Sequence, residues 1–184
     1  MLFGVRTHLA AHGESMHKQF VPQLVKMLNH LSTWLDLAEA YAEERGFDAE
    51  VLLSSRLSPD QFALSRQIQA ACDAAKFLAG RCANAEIPSH PDTETTIAQL
   101  RERIASTVQY IESIPAEAYS DTERQIFLPF LKGGSVTALD YAVEFAFPNF
   151  HFHVVMTYAI LRHNGVALGK RAYIGSMTVT PPAG

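Results

Sequence analysis

Cysteine is scarce in this chain, and no signal places the chain in an oxidising compartment. Only two cysteines, Cys72 and Cys82, occur among its 184 residues. Both fall on one predicted helix, about 15 Å apart along its axis, which is too far for a disulfide between them. Two cysteines that cannot pair, in a chain without a recognisable signal peptide, predict a protein of the reducing cytoplasm.

Basic blocks and long apolar runs are also lacking. The formal net charge is −4 at pH 7, and no stretch concentrates lysine and arginine. This charge balance argues against a surface that binds the phosphate backbone of a nucleic acid. No apolar run reaches about 18 residues, so no membrane span is predicted. The sequence has no CxxC, HExxH, phosphate-binding loop or Ser-His-Asp order, which leaves hydrolase, nucleotide-binding and thioredoxin-like functions without support.

The length and composition of the chain are typical of one globular domain. Apolar residues make up 48% of the sequence, enough to build a hydrophobic core. We predict a single domain over residues 16–175, preceded by a loose extension over residues 1–15 and followed by a flexible tail over residues 176–184. The extension differs in character from the predicted domain, and Met16 is the natural start that we expect.

Four segments carry apolar residues at the spacing of an amphipathic helix, namely residues 18–45, 58–83, 92–113 and 149–164. Three of them begin at a recognisable start signal. Ser58, with Pro59 and Gln61 behind it, forms a capping box for the second helix. Asp92 is the predicted cap of the third helix. Asn149, directly after the helix-breaking Pro148, is the predicted cap of the last helix.

The residues between the third and last predicted helices differ in character. Residues 125–131 (QIFLPFL) are apolar and favour an extended chain, and residues 132–135 (KGGS) favour a turn. We predict a small hairpin here, with Pro129 at its edge. The whole pattern predicts an all-α fold, a four-helix bundle with a long crossover and small hairpin before the last helix.

The last predicted helix carries three of the eight histidines. At about 100° per residue, His153 and His163 share a side with Asn149, whereas His151 faces the opposite side. His153 and His163 lie about 15 Å apart along the axis, too far to bind one ion together. At most one of these histidines can therefore belong to a given site.

Gln69 and Asp73 lie one turn apart on the second predicted helix, where they can face a groove between helices. A carboxylate next to an amide is half of a site for a hard metal or a polar substrate. It is equally an ordinary surface pair, in which Lys76 neutralises Asp73. The sequence leaves both interpretations open.

A set of short motifs spans almost the whole chain. They are RLSPD at residues 56–60, RQIQ at 66–69, ACD at 71–73, Pro88 followed by DTET at 92–95, PNFHFH at 148–153, YAILRHNG at 158–165 and LGKR at 168–171. Together with the four long helices and the crossover, they resemble the DinB/YfiT-like superfamily of metal-dependent enzymes. More narrowly, they resemble a bacterial family within it that is known only as a domain of unknown function.

The resemblance implies a bundle that is often a homodimer, with a divalent ion held by one histidine on the second helix and two at i, i+4 on the last. Some members use the ion to activate a small thiol for transferase or isomerase chemistry. In this chain the i, i+4 pair is Asn149 and His153, and Gln69 or Asp73 stands nearest the second-helix histidine. The implied site is His153, Asn149, Gln69 and Asp73, a weak, hard donor set for one divalent transition metal such as nickel, manganese or iron.

Three functions are compatible with these observations. The first is a metal-dependent enzyme acting on a small molecule, thiol-transferase-like, with His153 as metal ligand or general base. The second is a non-catalytic ligand-binding or stress-associated bundle that has lost the metal, with His153 and Asn149 as a buried pair and helix cap. The third is a dimeric interaction module whose function lies at its interface.

Overall fold

Helices make up most of the computed structural model, which describes residues 9–180, with side chains from residue 16 onward. The elements occur in the order α1 (Leu9–Arg45), α2 (Leu64–Ala83), α3 (Ile97–Ser113), β1 (Gln125–Phe127), β2 (Ser135–Thr137), α4 (Ala138–Asp140), α5 (Phe147–His163) and α6 (Lys170–Ile174). Four of these helices, α1, α2, α3 and α5, have 17 residues or more. None of the described helices combines the length and the hydrophobicity of a membrane span.

The core lies between the four long helices. The inward stripe of α1 is fully buried at Leu24, Leu28, Leu31 and Leu35. α2 is buried around most of its circumference, and its small residues, such as Ala71 and Ala75, let neighbouring helices approach closely. α2 packs against α3 and α5, and α1 packs against the same two helices. The predicted apolar faces are therefore the buried faces.

The second helix begins later than its capping signal predicts. α2 begins at Leu64. The residue at its N-cap position is Ala63, which has no side chain that can cap the helix. Ser58 instead donates its hydroxyl to the Asp60 carboxylate within a turn. The prediction of a capping box at Ser58 is therefore wrong, because the Ser58 hydroxyl bonds Asp60 within a turn and the helix begins six residues later, at Leu64.

The third helix also begins later than predicted. α3 begins at Ile97, and Thr96 and Gln99 form its capping box. Asp92, the predicted cap, instead forms ion pairs with Arg66 and Arg103. The prediction of Asp92 as a helix cap is therefore wrong, because one cation of α2 and one cation from the middle of α3 bind its carboxylate.

The last helix begins earlier than predicted, so Asn149 does not cap it. α4, a π-helical turn over Tyr141–Ala146 and α5 form one continuous helical stretch. Pro148 lies at the start of α5, directly after this wider turn. A π turn relieves the clash between a proline ring and the preceding turn of helix. The helix ends as predicted at Asn164, followed by Gly165 with φ +100°.

The predicted hairpin is present between α3 and α4. β1 and β2 pair antiparallel, with Ile126 opposite Val136. Pro129 lies outside the ladder, in a 3₁₀ turn over Pro129–Leu131. Arg124, just before β1, donates to the Arg81 carbonyl and to Asn84 Oδ1, which ties the hairpin to the end of α2.

The C-terminal helix α6 packs against α1 and α5 through aromatic side chains. Tyr173 stacks on Trp34 at 6.0 Å between ring centroids and meets Tyr158 edge-on at 5.9 Å. Trp34 Nε1 donates to the Ala172 carbonyl oxygen at 3.3 Å. This packing joins the end of the chain to the core.

The predicted division into extension, domain and tail stays a prediction. Residues 1–8 of the predicted extension lie outside the described residues, whereas α1 already covers residues 9–15. Of the predicted tail, residues 176–180 have no helix or strand, and residues 181–184 lie outside the described residues.

Candidate functional site

An open groove runs along the contact between α2 and α5. The two helices are antiparallel, since Gln67 meets His153 at one end and Arg81 meets Tyr141 at the other. The groove has a volume of about 440 Å³, within the range of small-molecule sites. Its apolar walls include Phe62, Phe77, Leu128, Phe130 and Phe145, and its polar residues are Arg66, Asp73, Arg81, Asn149 and His153. We call it the α2–α5 groove.

His153 is oriented by a residue that sequence reasoning missed. The Gln67 amide nitrogen donates to the Phe62 carbonyl, which turns Gln67 Oε1 towards His153 Nδ1 at 2.8 Å. Oε1 can only accept, so Nδ1 carries the proton of the neutral ring. The other ring nitrogen, Nε2, then keeps its lone pair. In this state His153 can accept a hydrogen bond, take a proton or ligate a metal.

The surroundings of His153 favour its neutral form. Burial lowers the pKa of His153, and the nearby positive charge of Arg66 lowers it further. The Phe62 ring lies nearly parallel to the imidazole, at 12° and 6.4 Å between centroids. Near neutral pH the side chain is therefore an uncharged acceptor against an aromatic wall.

Asp73 lines the same groove, but its carboxylate already has cationic partners. Lys76 Nζ lies 3.0 Å and Arg103 Nη2 lies 2.8 Å from Asp73 Oδ1. Lys76 and Arg103 are buried, which strengthens both interactions relative to exposed pairs. Of the two interpretations left open by the sequence, the ion pair with Lys76 is the one observed, with Arg103 added.

Gln69 and Asn149 complete the predicted set, and the structure separates them. Asn149 lines the α2–α5 groove from the first turn of α5. Gln69 does not line it, because its amide nitrogen donates to Glu94 Oε2 at 2.9 Å, towards α3. The groove therefore brings together Asp73, Asn149 and His153, but not Gln69.

Arg81 lies at the opposite end of the groove from His153. Its guanidinium donates to the Tyr141 hydroxyl at 3.0 Å. It also lies over the Phe77 ring at 4.7 Å and the Tyr141 ring at 5.6 Å, both within cation–π range. The positive charge is thus held in place by two aromatic rings and a hydroxyl.

The two cysteines offer no nucleophile to this groove. Both are buried, and burial raises the pKa of Cys72 and of Cys82 to about 12. A thiol with such a pKa stays protonated and unreactive at neutral pH. Cysteine chemistry therefore has no place in the site.

The residues of the groove fit a divalent transition metal poorly. His153 supplies one nitrogen and Asn149 one weak amide oxygen, whereas metals of this class favour several imidazoles or unpaired carboxylates. Asp73 is bound by two cations, and Arg66 and Arg81 add positive charge to the lining. Among the described residues, no three histidine, cysteine or acidic side chains converge as a metal-binding group. The divalent metal at His153 therefore stays a prediction.

The sequence could have identified Arg81 as a residue of the groove, but it holds no pattern that identifies Gln67. Arg81 follows Asp73 and Phe77 at i+4 spacing, so extending that flank of α2 by two turns reaches it. Gln67 is a buried polar residue, and only the position of α5 explains it. Periodicity identifies a face of a helix but not its partner.

Comparison with known proteins agrees with this architecture. The family model "Domain of unknown function (DUF1993)" matches residues 16–174. The crystal structure of a DinB family member protein from Shewanella denitrificans is similar, with a TM-score of 0.90 and 42% sequence identity over 95% of this chain and 99% of that chain. No curated protein matches. The resemblance to a DinB-like domain of unknown function is confirmed.

Proposed function

Because this chain belongs to the DUF1993 family of domains of unknown function, we propose its function from its own groove: it binds a small organic molecule between α2 and α5. The four long helices serve this function as a DinB/YfiT-like four-helix bundle, with the hairpin as one wall of the groove. The role is binding without catalysis, the second of the functions that the sequence leaves open.

The observation that carries the proposal is the hydrogen bond between Gln67 and His153. A buried glutamine orients the imidazole so that Nε2 keeps its lone pair on a side chain that lines the groove. Polar groups held in this way by a second residue are typical of ligand sites, where a few placed polar atoms give specificity within apolar walls. A ligand hydroxyl or amide N–H can donate to Nε2, while its apolar body contacts the aromatic walls.

A metal-dependent enzyme is the second candidate. It is favoured by one observation, that Asp73, Asn149 and His153 all line one groove. Here His153 would be a ligand through Nε2, or a general base without metal. The two cations on Asp73 weigh against this candidate, because they compete with any metal for the carboxylate. A homodimer and a cytoplasmic location are compatible with both candidate functions, and both stay predictions.

A fragment screen on the ¹⁵N-labelled full chain tests the binding function. We expect fragments with a hydrogen-bond donor on an apolar ring to shift amide signals of α2 and α5 around Gln67 and His153. The variant His153→Ala should lose these fragments, because the acceptor is removed. The control His163→Ala changes an exposed histidine near the end of the same helix and should keep them. Shifts confined to other surfaces, or fragments unaffected by His153→Ala, would contradict the proposal.

Elemental analysis by plasma mass spectrometry separates the two candidates. We expect the untagged protein, dialysed against metal-free buffer, to carry no stoichiometric transition metal and to take up none on titration. A near-stoichiometric metal that is lost in His153→Ala would replace the binding function by the metal-dependent one.

A further inference from the structure

We infer that the α2–α5 groove takes a small aryl carboxylate, whose acid group pairs with Arg81. The inference rests on the proposed function and adds a class of ligand to it. Three observations carry it: the charge balance around the groove, the contacts of Arg81, and the aromatic rings beside it.

The other charges near the groove neutralise one another. Three cations and three carboxylates form one network of ion pairs between α2, α3 and the loop that joins them. Arg103 contacts Asp73, Asp92 and Glu94, while Lys76 contacts Asp73 and Arg66 contacts Asp92. Arg66 and Asp73, the members of this network that line the groove, carry opposite charges and add no net charge to it. The positive charge of Arg81 is then the one charge of the groove lining that no opposite charge balances among the described residues.

Arg81 has no acidic partner among the described residues. Its guanidinium has one described hydrogen bond, to the Tyr141 hydroxyl, out of five N–H donors. The rings of Phe77 and Tyr141 hold the guanidinium in one orientation. A guanidinium held this way, with donors to spare, matches the two oxygens of a carboxylate better than a lysine would.

The side chain of Arg81 is not needed to bind the free carbonyl groups at the C-terminus of α2. Arg81 lies in the last turn, where a cation also offsets the partial negative charge of a helix C-terminus. Arg124 already meets this need, because its guanidinium donates to the Arg81 carbonyl and to Asn84 Oδ1. The Arg81 side chain instead turns to Tyr141 and the groove.

The walls beside Arg81 favour an aromatic ligand body. Phe130 of the hairpin turn and Phe145 of the π-helical turn lie 5.2 Å apart between ring centroids. Phe130 is 57% exposed and Phe145 is 41% exposed, and both side chains line the groove. A flat ring laid against this pair would gain offset or edge-to-face contacts, which add to the burial of apolar area. The Tyr141 ring lies 6.0 Å from the Phe145 ring and 5.6 Å from the Arg81 guanidinium carbon, so an acid group on that ligand ring would lie towards Arg81.

Three probes of one shape and different charge test the inference: 3-phenylpropionate, 3-phenylpropionamide and 3-phenylpropylamine. Each is titrated into the full ¹⁵N-labelled chain, and affinity is read from amide shifts around Arg81 and Phe145. We expect the acid to bind about tenfold more tightly than the neutral amide, as for a hydrogen bond to a charged partner, and the amine to bind least. Equal affinity for acid and amide would overturn the inference.

Variants assign the preference to Arg81. Arg81→Gln keeps a donor for Tyr141 but removes the charge, so acid and amide should bind alike. Arg81→Lys should keep a partial preference for the acid, and it also covers the case in which Arg81→Gln fails to fold. Arg162→Gln removes an exposed cation of α5 that does not line the groove, and should change nothing. A preference that persists in Arg81→Gln would overturn the assignment.

Failure of this inference and failure of the proposed function give different results. If acid, amide and amine bind alike and His153→Ala still abolishes fragment binding, the ligand class is wrong and the binding function stands. If none of the three probes shifts the groove signals, the aryl carboxylate is excluded, and the fragment screen alone then decides the binding function.

Discussion

At the scale of single residues, Arg103 shows how a buried charge is accommodated. Its side chain is 2% exposed, and it forms ion pairs with Asp73, Asp92 and Glu94. Removing a charge from water is unfavourable unless opposite charges and hydrogen bonds replace the solvent. The network supplies them at both terminal nitrogens of the guanidinium, and it thereby fixes the loop between α2 and α3 to both helices.

Replacing Arg103 should be strongly destabilising. Arg103→Met leaves Asp73 and Glu94 partly buried without their main partner, so we expect a loss of about 3 kcal/mol in the free energy of unfolding. The matched control is Arg101→Met on the same helix, which removes two ion pairs, with the exposed carboxylates of Asp36 and Glu39. That loss should be under about 1 kcal/mol. Urea unfolding measures both, and equal losses would contradict this account.

At the scale of helices, two glycines end α1 and α5 in the same way. Gly46 and Gly165 both have positive φ, at +73° and +100°. After each glycine the chain closes back on the helix, from Phe47 to the Ala42 carbonyl and from Val166 to the Leu161 carbonyl. The two positions differ in their surroundings. A Cβ at Gly46 would meet nothing within 4 Å, whereas a Cβ at Gly165 would clash with the Tyr41 hydroxyl.

This contrast gives a prediction for paired alanine variants. Gly46→Ala should lower the free energy of unfolding by about 1 kcal/mol, the typical penalty of a left-handed alanine. Gly165→Ala should lose at least about 1 kcal/mol more, because Tyr41 must also move. Urea unfolding of both variants gives the comparison. A Gly165→Ala variant no less stable than Gly46→Ala would show that Tyr41 moves freely.

At the scale of the whole molecule, four half-buried histidines link stability to pH. Burial is the main cause that lowers the pKa of His30, His90, His151 and His153 below 6.5, the ordinary pKa of a histidine. Above this value, the folded and unfolded chains both hold these rings neutral. Below it, the unfolded chain binds protons that the folded chain resists. The folded state therefore loses stability as the pH falls through 6.5 towards the lowered pKa values.

The expected result is a free energy of unfolding that falls between about pH 7.5 and pH 5.5, before most carboxylates titrate. Fluorescence of the single tryptophan, Trp34, reports unfolding, since Trp34 packs against Tyr158 and Tyr173 in the core. His151→Gln should reduce the slope, because it removes one of the four titrations. Stability that stays constant or rises as the pH falls would contradict the prediction.

The sequence by itself determined the long helices, their inward faces and the hairpin. These features depend on residues within a few positions of each other, so local periodicity and turn composition encode them. The same reasoning placed His151 and His153 on opposite sides of one helix, and the structure agrees. His153 meets Gln67 of α2, whereas His151 contacts the Tyr173 hydroxyl of α6.

Only the tertiary structure decided which polar groups became partners. Asp92 carries a capping signal, but it pairs with Arg66 and Arg103 once α2, α3 and their loop pack together. Asp73 likewise meets Arg103, which lies 30 residues away in the sequence. Side chains so far apart share no local pattern, and ion pairing depends on distance in space. The character of the groove, with Arg81 as its remaining charge, therefore emerged only from the packed helices.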